Sequence, residues 1–318
     1  MKKLNRREFV ETTALATAGL FAGSVMTGCK KKPETKRAGW TGFKYAMCNE
    51  SMKEKPWSQQ CKIIADAGYK GVEIAPFTLV KKGVAEINAN SRTEMRKTMD
   101  DEGLECVGLH WLLAPPPKGL HFTTPEKKVR LKSIDYLNEL IDFCGDLKGT
   151  YMIFGSPNQR NTVGISVEEA KKHFADGLAA VAEHAQQRNV KILLEHLGSD
   201  QTDVVNLLQE ALDIVKKVNN PAIGMMFDFH NTVDETEPLD VLVKNFYDHI
   251  DHVHVQEMDG KHLGCGNAVN DFVKSFQALK DRGYNQWVSL EVFDFSPGGK
   301  VIAEESMKAL KQIEAKLS

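Results

Sequence analysis

The 318-residue sequence lacks three features that would each indicate a particular class of protein. Its six scattered cysteines form no CxxC pair, which argues against a structural zinc site and against a disulfide framework. No GxGxxG segment follows any strand-like run, which argues against a doubly wound nucleotide-binding fold. The N-terminal apolar stretch, residues 14–26, is too short and too rich in Ala, Gly and Thr to span a bilayer.

Acidic residues outnumber basic residues in most of the chain. The sequence holds 41 Lys and Arg against 43 Asp and Glu, and the first 37 residues contain nine of the former and three of the latter. The remaining 32 basic and 40 acidic residues leave a net charge of −8 from Ala38 onward. Because phosphate backbones are bound by clustered Lys and Arg, we expect no nucleic-acid partner. A hydrophobic content of 42% is enough for a sizeable core.

The basic residues at the N-terminus stand in the order of an export signal. Arg6-Arg7 and Phe9 resemble a twin-arginine signal, the apolar stretch follows, and the segment MTGC ending at Cys29 resembles a lipobox. We therefore predict a signal peptide over residues 1–28 and a lipid on Cys29 that anchors an exported protein to a membrane, facing the periplasm or the cell exterior. An uncleaved membrane anchor is the alternative and gives the same location. Residues 29–40 are polar, and we expect a flexible tether there.

From residue 43 onward, eight short apolar runs alternate with longer amphipathic stretches. The runs are too short for core helices and are rich in Val, Ile and aromatic residues, which is typical of strands buried on both faces. They are FKYAMC (from residue 43), GVEIA (71), ECVGLH (105), YMIF (151), KILLE (191), AIGMMFDF (222), HVHV (252) and VSLEVF (288). The stretches between them, such as 167–188 and 203–218, have the pattern of helices. Eight such units predict a single-domain α/β fold, a (β/α)₈ TIM barrel over residues 41–318.

The last four predicted strands each carry, near the carboxyl end, a side chain that can bind a metal. These side chains are Glu195, Asp228, His254 and Glu291, separated by 33, 26 and 37 residues, so each interval is one strand–helix unit. Because the strand ends of a barrel converge on its axis, we expect the four to meet. A set of carboxylates and one imidazole suits one divalent metal ion, with Mn²⁺ favoured and Mg²⁺, Co²⁺ or Zn²⁺ as alternatives. Ordinary salt-bridged loop residues are the other interpretation.

The segments around these residues carry a family resemblance. LLEHL, MMFDFH, HVHVQE and SLEVF, together with GYKGVEIAP, GLHWLL, GLHFTTPE and FGSPNQR, resemble the xylose-isomerase-like barrels of the sugar phosphate isomerase/epimerase group. That group includes D-tagatose 3-epimerases and hydroxypyruvate isomerases, and the resemblance covers roughly residues 43–318. It implies that the four strand-end residues bind the metal and that Glu195 and Glu291 are the catalytic acid/base pair.

Such a site supports several outcomes of one chemistry. A carboxylate removes the proton α to the carbonyl of a keto sugar and an enediolate forms. Return of the proton to the other face epimerises the sugar, and return to the neighbouring carbon isomerises it. In a 3-keto glycoside the aglycone lies β to the carbanion, so the alternative reaction is a 1,2-lyase elimination. An exported enzyme is expected to meet a small-molecule sugar or glycoside rather than a phosphorylated sugar.

Four positions depart from the family pattern and leave the substrate open. The chain has His196 where the family often has Pro, Gln201 in place of a second carboxylate, Asn231 in place of His, and Gly260 in place of Arg. The metal ligands are thus kept, while the residues that grip ketose hydroxyls have changed.

Six further residues are candidates for substrate binding, each with a structural alternative. His110 could hydrogen-bond to a sugar while Trp111 stacks on it, or both could belong to the core. Arg160 could bind substrate oxygens or pair with a nearby acid. Glu257 could support the metal site or cap a loop. His230 and His262 could reach the mouth of the site.

Two other classes of function fit the sequence less well than a sugar isomerase or epimerase does. A DNA-processing enzyme of the AP endonuclease type is disfavoured, because the second strand carries Glu73 rather than His and the charge from Ala38 onward is negative. A carbohydrate-binding lipoprotein without catalysis is disfavoured by the intact pair of acid/base carboxylates. An oligomer is possible, and the sequence does not decide its size.

Overall fold

The computed structural model describes residues 40–318. The predicted signal peptide, the lipidation site at Cys29 and the predicted tether up to residue 39 lie outside the described residues, and they stay predictions. No helix within residues 40–318 combines the length and the apolar character that crossing a membrane requires.

Eight parallel strands form a closed barrel, and this confirms the predicted (β/α)₈ fold. Each strand pairs with the next one along the chain, and β8 closes the barrel on β1. The strands are β1 (Lys44–Cys48), β2 (Gly71–Ile74), β3 (Glu105–Leu109), β4 (Tyr151–Phe154), β5 (Lys191–Leu194), β6 (Ile223–Asp228), β7 (Ile250–Val255) and β8 (Trp287–Leu290). Every strand coincides with one of the apolar runs, because a strand buried on both faces has no polar side to interrupt it.

Helices surround the barrel in the described part of the chain. They are α1 (Trp57–Asp66), α2 (Ala89–Asp101), α3 (Lys127–Asp146), α4 (Val167–Gln187), α5 (Leu208–Val218), α6 (Leu239–Phe246), α7 (Ala268–Asp271), α8 (Val273–Asp281) and α9 (Gly299–Ala315). Helix α5 starts later than the predicted residue 203. Val205 has a left-handed backbone (φ 63°), and the Glu210 carboxylate accepts from the backbone N–H of Asn206, so the helix begins after this turn.

The barrel interior is layered along its axis. Its lower part is filled by a small apolar cluster: Ala46, Val107, Tyr151, Ile153, Leu193, Met226 and Trp287. A Cβ atom at Gly71 would lie 2.6 Å from Val107 and 2.9 Å from Trp287, so the absence of a side chain on β2 lets the indole fill this layer. Because side chains alternate along a strand, positions two and four residues further on point inward above the cluster, where the predicted site residues lie.

Candidate active site at the carboxyl ends of the strands

The structure brings together the four predicted metal ligands. Glu195, Asp228, His254 and Glu291 each offer one ligand atom, and these four atoms all lie within 4.8 Å of one another. His254 Nδ1 is 3.0 Å from Glu291 Oε2 and 3.8 Å from Glu195 Oε1. All four side chains are buried. They follow inward-facing residues by two positions on β5, β6, β7 and β8, so strand alternation and barrel closure together form the cluster.

The electrostatics of the cluster fit a divalent cation. Burial raises the pKa of Glu195 well above its usual value, and the neighbouring Glu291 and Asp228 raise it further. Burial also raises the pKa of Asp228. Among residues 40–318, no Lys or Arg forms an ion pair with these three carboxylates. A donor set with excess negative charge, three carboxylates and one imidazole is suited to Mn²⁺ or a similar ion.

A buried carboxylate on β2 supports the histidine of the cluster. Glu73 Oε1 lies 2.9 Å from His254 Nε2, on the opposite side of the ring from Nδ1, and Glu73 Oε2 lies 2.9 Å from His252 Nε2. Burial opposes ionisation of Glu73, but the two imidazoles lower its pKa well below the usual value. An ionised Glu73 accepts the Nε2 proton of His254 and leaves Nδ1 free to bind a metal.

Sequence reasoning gave Glu73 no role in this site. The available signal was an acidic residue inside the apolar run GVEIA, because a carboxylate in a strand buried on both faces needs a partner. Its partners stand on β7, far along the chain, so the sequence did not identify them.

Trp111 lies at the site as predicted, with an unpredicted partner. Its indole Nε1 donates to Glu291 Oε1 at 2.8 Å, and its backbone is left-handed with φ 52°. Phe77 and Phe293 approach the indole edge-on, each with ring centroids 6.3 Å away. The indole therefore orients the carboxylate of Glu291, and its ring forms part of the wall of the cleft.

Gln201 and Asn231, two of the positions that depart from the family pattern, form a chain of amides next to the cluster. Asn231 Nδ2 donates to Glu195 Oε1 at 3.1 Å and to Asp228 Oδ2 at 3.0 Å. Gln201 Nε2 donates to Asn231 Oδ1 at 2.7 Å, which fixes the orientation of the Asn231 amide. A neutral pair thus stands where the family often has a carboxylate and a histidine, and it holds two ligand carboxylates in place.

Two predicted substrate residues have other partners in the structure. Arg160 is fully buried, and its guanidinium donates to the backbone carbonyls of Glu195 (2.7 Å), Phe154 (3.2 Å) and Val205 (3.1 Å). It therefore ties together the ends of β4 and β5 and does not line the cleft. His110 is also buried, and its Nε2 lies 2.8 Å from a carboxylate oxygen of Glu50. Its ring supports the interior of the barrel rather than reaching the cleft.

The remaining predicted residues lie around the mouth of the barrel. Glu257 accepts from the backbone N–H groups of Gly264 and Ala268, both at 3.0 Å, so it caps the loop and the start of α7. This is the structural alternative rather than support for the metal site. His230 donates from Nδ1 to the carbonyl of Met258 at 3.0 Å and stands at the rim. His262 is half-buried and is not among the residues that line the cleft.

The cleft above the cluster is lined by carboxylates, amides and aromatic rings, and no Lys or Arg of residues 40–318 lines it. Its principal side chains are Trp111, Glu195, Gln201, Asn231, Glu291 and Phe293. A Cβ atom at the neighbouring Gly155 would overlap Glu195 Oε2, so glycine at this position leaves room for the carboxylate. A larger cavity of about 460 Å³ lies elsewhere, between residues 82–86 and α3, and contains none of the clustered ligands.

Comparison with known proteins agrees with this fold. The family model described as "Xylose isomerase-like TIM barrel" matches residues 61–313. A probable ketose 3-epimerase of Synechocystis is 25% identical over 222 residues, covering 62% of this chain and 74% of that protein. A D-psicose 3-epimerase of Ruminiclostridium cellulolyticum is 29% identical over 249 residues, covering 76% and 80%. The crystal structure of a 3-keto-D-glucoside 4-epimerase from E. coli superposes with a TM-score of 0.72 at 17% identity, covering 86% and 100%. The chain belongs to the xylose isomerase-like TIM barrel family.

Proposed function

We propose that this protein is a divalent-metal-dependent sugar epimerase or isomerase. The observation that carries the proposal is the pair of carboxylates Glu195 and Glu291, which line one cleft and share one buried ligand cluster. They come from β5 and β8, three strands apart around the barrel, so they approach a bound sugar from different sides. The ketose 3-epimerases among the relatives support the same reaction class.

The residues of the cleft divide the chemistry among them. A cation, for which Mn²⁺ is our proposal, would be held by Glu195, Asp228, His254 and Glu291, and it would polarise the sugar carbonyl and acidify the adjacent C–H bond. One of the two glutamates removes that proton, and the other returns a proton from the opposite side. The Trp111 N–H fixes Glu291 in position for this transfer.

The cleft is better suited to an unphosphorylated sugar than to a sugar phosphate. In the described part of the chain no Lys or Arg lines the cleft, and the guanidinium of Arg160 donates to backbone carbonyls. Gly260 stands where the family has Arg, and the adjacent Lys261 lies 2.5 Å from the carboxylate of Asp259. Phosphate recognition depends on such cationic donors.

A 3-keto-glycoside 1,2-lyase is the second candidate. The observation that favours it is the replacement at Gly260, where a Cβ atom would lie 3.2 Å from Phe293. The family resemblance implies a charged side chain at this position, whereas here the backbone of Gly260 lies against the ring of Phe293. A non-catalytic carbohydrate-binding protein is the lesser candidate, because binding alone does not require two carboxylates in one metal cluster.

We also propose that the enzyme works outside the cytoplasm, anchored through a lipid on Cys29. The support is the order of the twin arginines, the apolar stretch and the lipobox-like segment in residues 1–29. Cell fractionation of the Cys29→Ala variant tests this, because loss of the lipid should release the protein from the membrane fraction. An unchanged membrane association would contradict lipidation at this residue.

The reaction is tested by proton NMR in D₂O with ketoses, glycosides and 3-keto glycosides. We expect deuterium at a carbon α to the carbonyl, loss of exchange in EDTA, and recovery with Mn²⁺. Glu195→Gln and Glu291→Gln should abolish exchange while the fold survives. Glu257→Gln, another buried glutamate, is the matched control and should retain exchange. Release of an aglycone would identify the lyase, and full exchange after thorough metal removal would refute the proposal.

A further inference from the structure

We propose that the mouth of the cleft binds an apolar, ring-sized group attached to the sugar, so that the substrate is a glycoside with an apolar aglycone. This inference rests on the proposed function. It comes from four exposed side chains, called here the apolar rim: Val233, Met258, Phe293 and Phe295. Their exposed fractions are 55%, 41%, 37% and 38%, and they are four of the seven large hydrophobic residues that are exposed among residues 40–318.

The apolar rim is concentrated on one side of the barrel mouth. Val233 follows β6, Met258 follows β7, and Phe293 and Phe295 follow β8, so the four side chains come from the loops of three neighbouring strands. Two hydrogen bonds also link the three loops to one another. The Phe293 backbone N–H donates to the carbonyl of Gly260 at 2.8 Å, and His230 Nδ1 donates to the carbonyl of Met258 at 3.0 Å.

The rim is continuous with the catalytic cleft through Phe293. This side chain lines the cleft and is also exposed at the mouth, two residues after Glu291. Its ring centroid is 6.3 Å from that of Trp111 and 5.1 Å from that of His230, both edge-on. When the carbonyl of a sugar lies at Glu195 and Glu291, a group attached to that sugar can therefore contact Phe293 as it extends from the cleft towards the rim.

The chemistry of the rim selects the occupant. Exposed apolar side chains grouped beside a cleft indicate a binding site. A free monosaccharide presents hydroxyl groups on most of its surface, so it gains little from contact with the apolar side chains of the rim. Beside the rim, Asp259 and Lys261 are paired with each other, and the Asp294 carboxylate accepts from the backbone N–H of Ser296. The net charge of these three side chains is negative, so they disfavour an anionic group. An aromatic aglycone on the anomeric carbon would pack against the rings of Phe293 and Phe295.

Binding of inert glycosides tests the rim without requiring turnover. The probes are phenyl β-D-glucoside and methyl β-D-glucoside, added to the Mn²⁺-loaded full chain and followed by saturation-transfer difference NMR and titration. We expect the strongest saturation on the phenyl protons and a Kd about tenfold lower for the phenyl compound. The double variant Met258→Ser, Phe295→Ser should bring the two Kd values close together. Leu131→Ser, which changes a side chain 47% exposed on α3, is the matched control and should keep the difference.

Each other outcome would overturn the inference. Equal or undetectable binding of the two probes by the wild-type protein would do so, and so would a preference for phenyl that survives in the double variant. A dimer that the double variant dissociates in sedimentation velocity would show that a second copy covers the rim instead. Deuterium exchange into keto sugars is measured separately. A protein that prefers the phenyl glucoside but exchanges no deuterium would refute the proposed function and leave the rim in place.

Discussion

Replacing Glu73 by Gln should weaken metal binding although Glu73 is not itself one of the four clustered ligands. Its carboxylate lies 2.9 Å from His254 Nε2 through one oxygen and 2.9 Å from His252 Nε2 through the other. Gln has nearly the same shape, but it offers a single acceptor oxygen, so it can satisfy only one of the two imidazoles. The other imidazole then faces an amide NH₂ group.

The magnitude follows from the proton positions. If the amide NH₂ faces His254, the imidazole must carry its proton on Nδ1, the atom that faces Glu291 and the other ligands. If the oxygen faces His254, the buried His252 loses the carboxylate charge that lies 2.9 Å from its Nε2. Leaving a buried polar group unsatisfied costs about 1–3 kcal/mol. Loss of such an outer partner typically lowers metal affinity about 10- to 100-fold, equivalent to about 1.4–2.7 kcal/mol.

Isothermal titration with Mn²⁺ measures this directly, and the visible spectrum of the Co²⁺-loaded protein reports the geometry around the ion. We expect Glu73→Gln to raise the Kd and alter the Co²⁺ spectrum, with secondary structure unchanged by circular dichroism. Glu257→Gln removes charge from another buried glutamate, which caps α7, and should lower the melting temperature without changing the Kd. A Glu73→Gln protein that binds Mn²⁺ as tightly as the wild type would refute the role assigned to Glu73.

Three other predictions concern the same site. Trp111→Phe keeps an aromatic ring but removes the hydrogen bond from the indole N–H to Glu291, and such a bond to a charged acceptor is worth about 1.5–3 kcal/mol. We expect kcat to fall about 10- to 100-fold. An unchanged kcat would exclude a role of Trp111 in orienting Glu291. Burial, Glu291 and Asp228 raise the pKa of Glu195, so Mn²⁺ must displace a proton when it binds. The affinity of the protein for Mn²⁺ should therefore rise with pH. Titration in buffers of different ionisation enthalpy measures the proton release. The native metal-free protein holds that proton more tightly than the unfolded chain, so its free energy of unfolding should fall as pH rises, and saturating Mn²⁺ should remove this loss; a pH-independent affinity would contradict both statements. Gly155→Ala should displace the carboxylate of Glu195, weakening Mn²⁺ binding with little change in melting temperature, whereas unchanged binding would show that the carboxylate has room to move.

The sequence identified the architecture and the cluster because both depend on short-range patterns. Eight apolar runs, each at the spacing of a strand–helix unit, are sufficient to indicate a barrel. The predicted ligands Glu195, Asp228, His254 and Glu291 each stand near the carboxyl end of such a run, and convergence of strand ends in this fold brings them together. The sequence predicted the substrate-binding residues less accurately, because a residue at a strand end can point into the cleft or away from it. The buried Arg160 is the clearest case.

What the tertiary structure alone decided is how the ligands are held. Glu73 and His254 are 181 residues apart, and Trp111 and Glu291 are 180 apart, yet each pair is in direct contact. Closure of β8 onto β1 brings the first three strands beside the last ones, and no local pattern encodes which side chains then meet. The sequence by itself determined the fold and which four side chains cluster at the strand ends, because strand period and strand-end position are local properties. Which residues fix the ligands, and which form the apolar rim, depends on distances across the closed barrel.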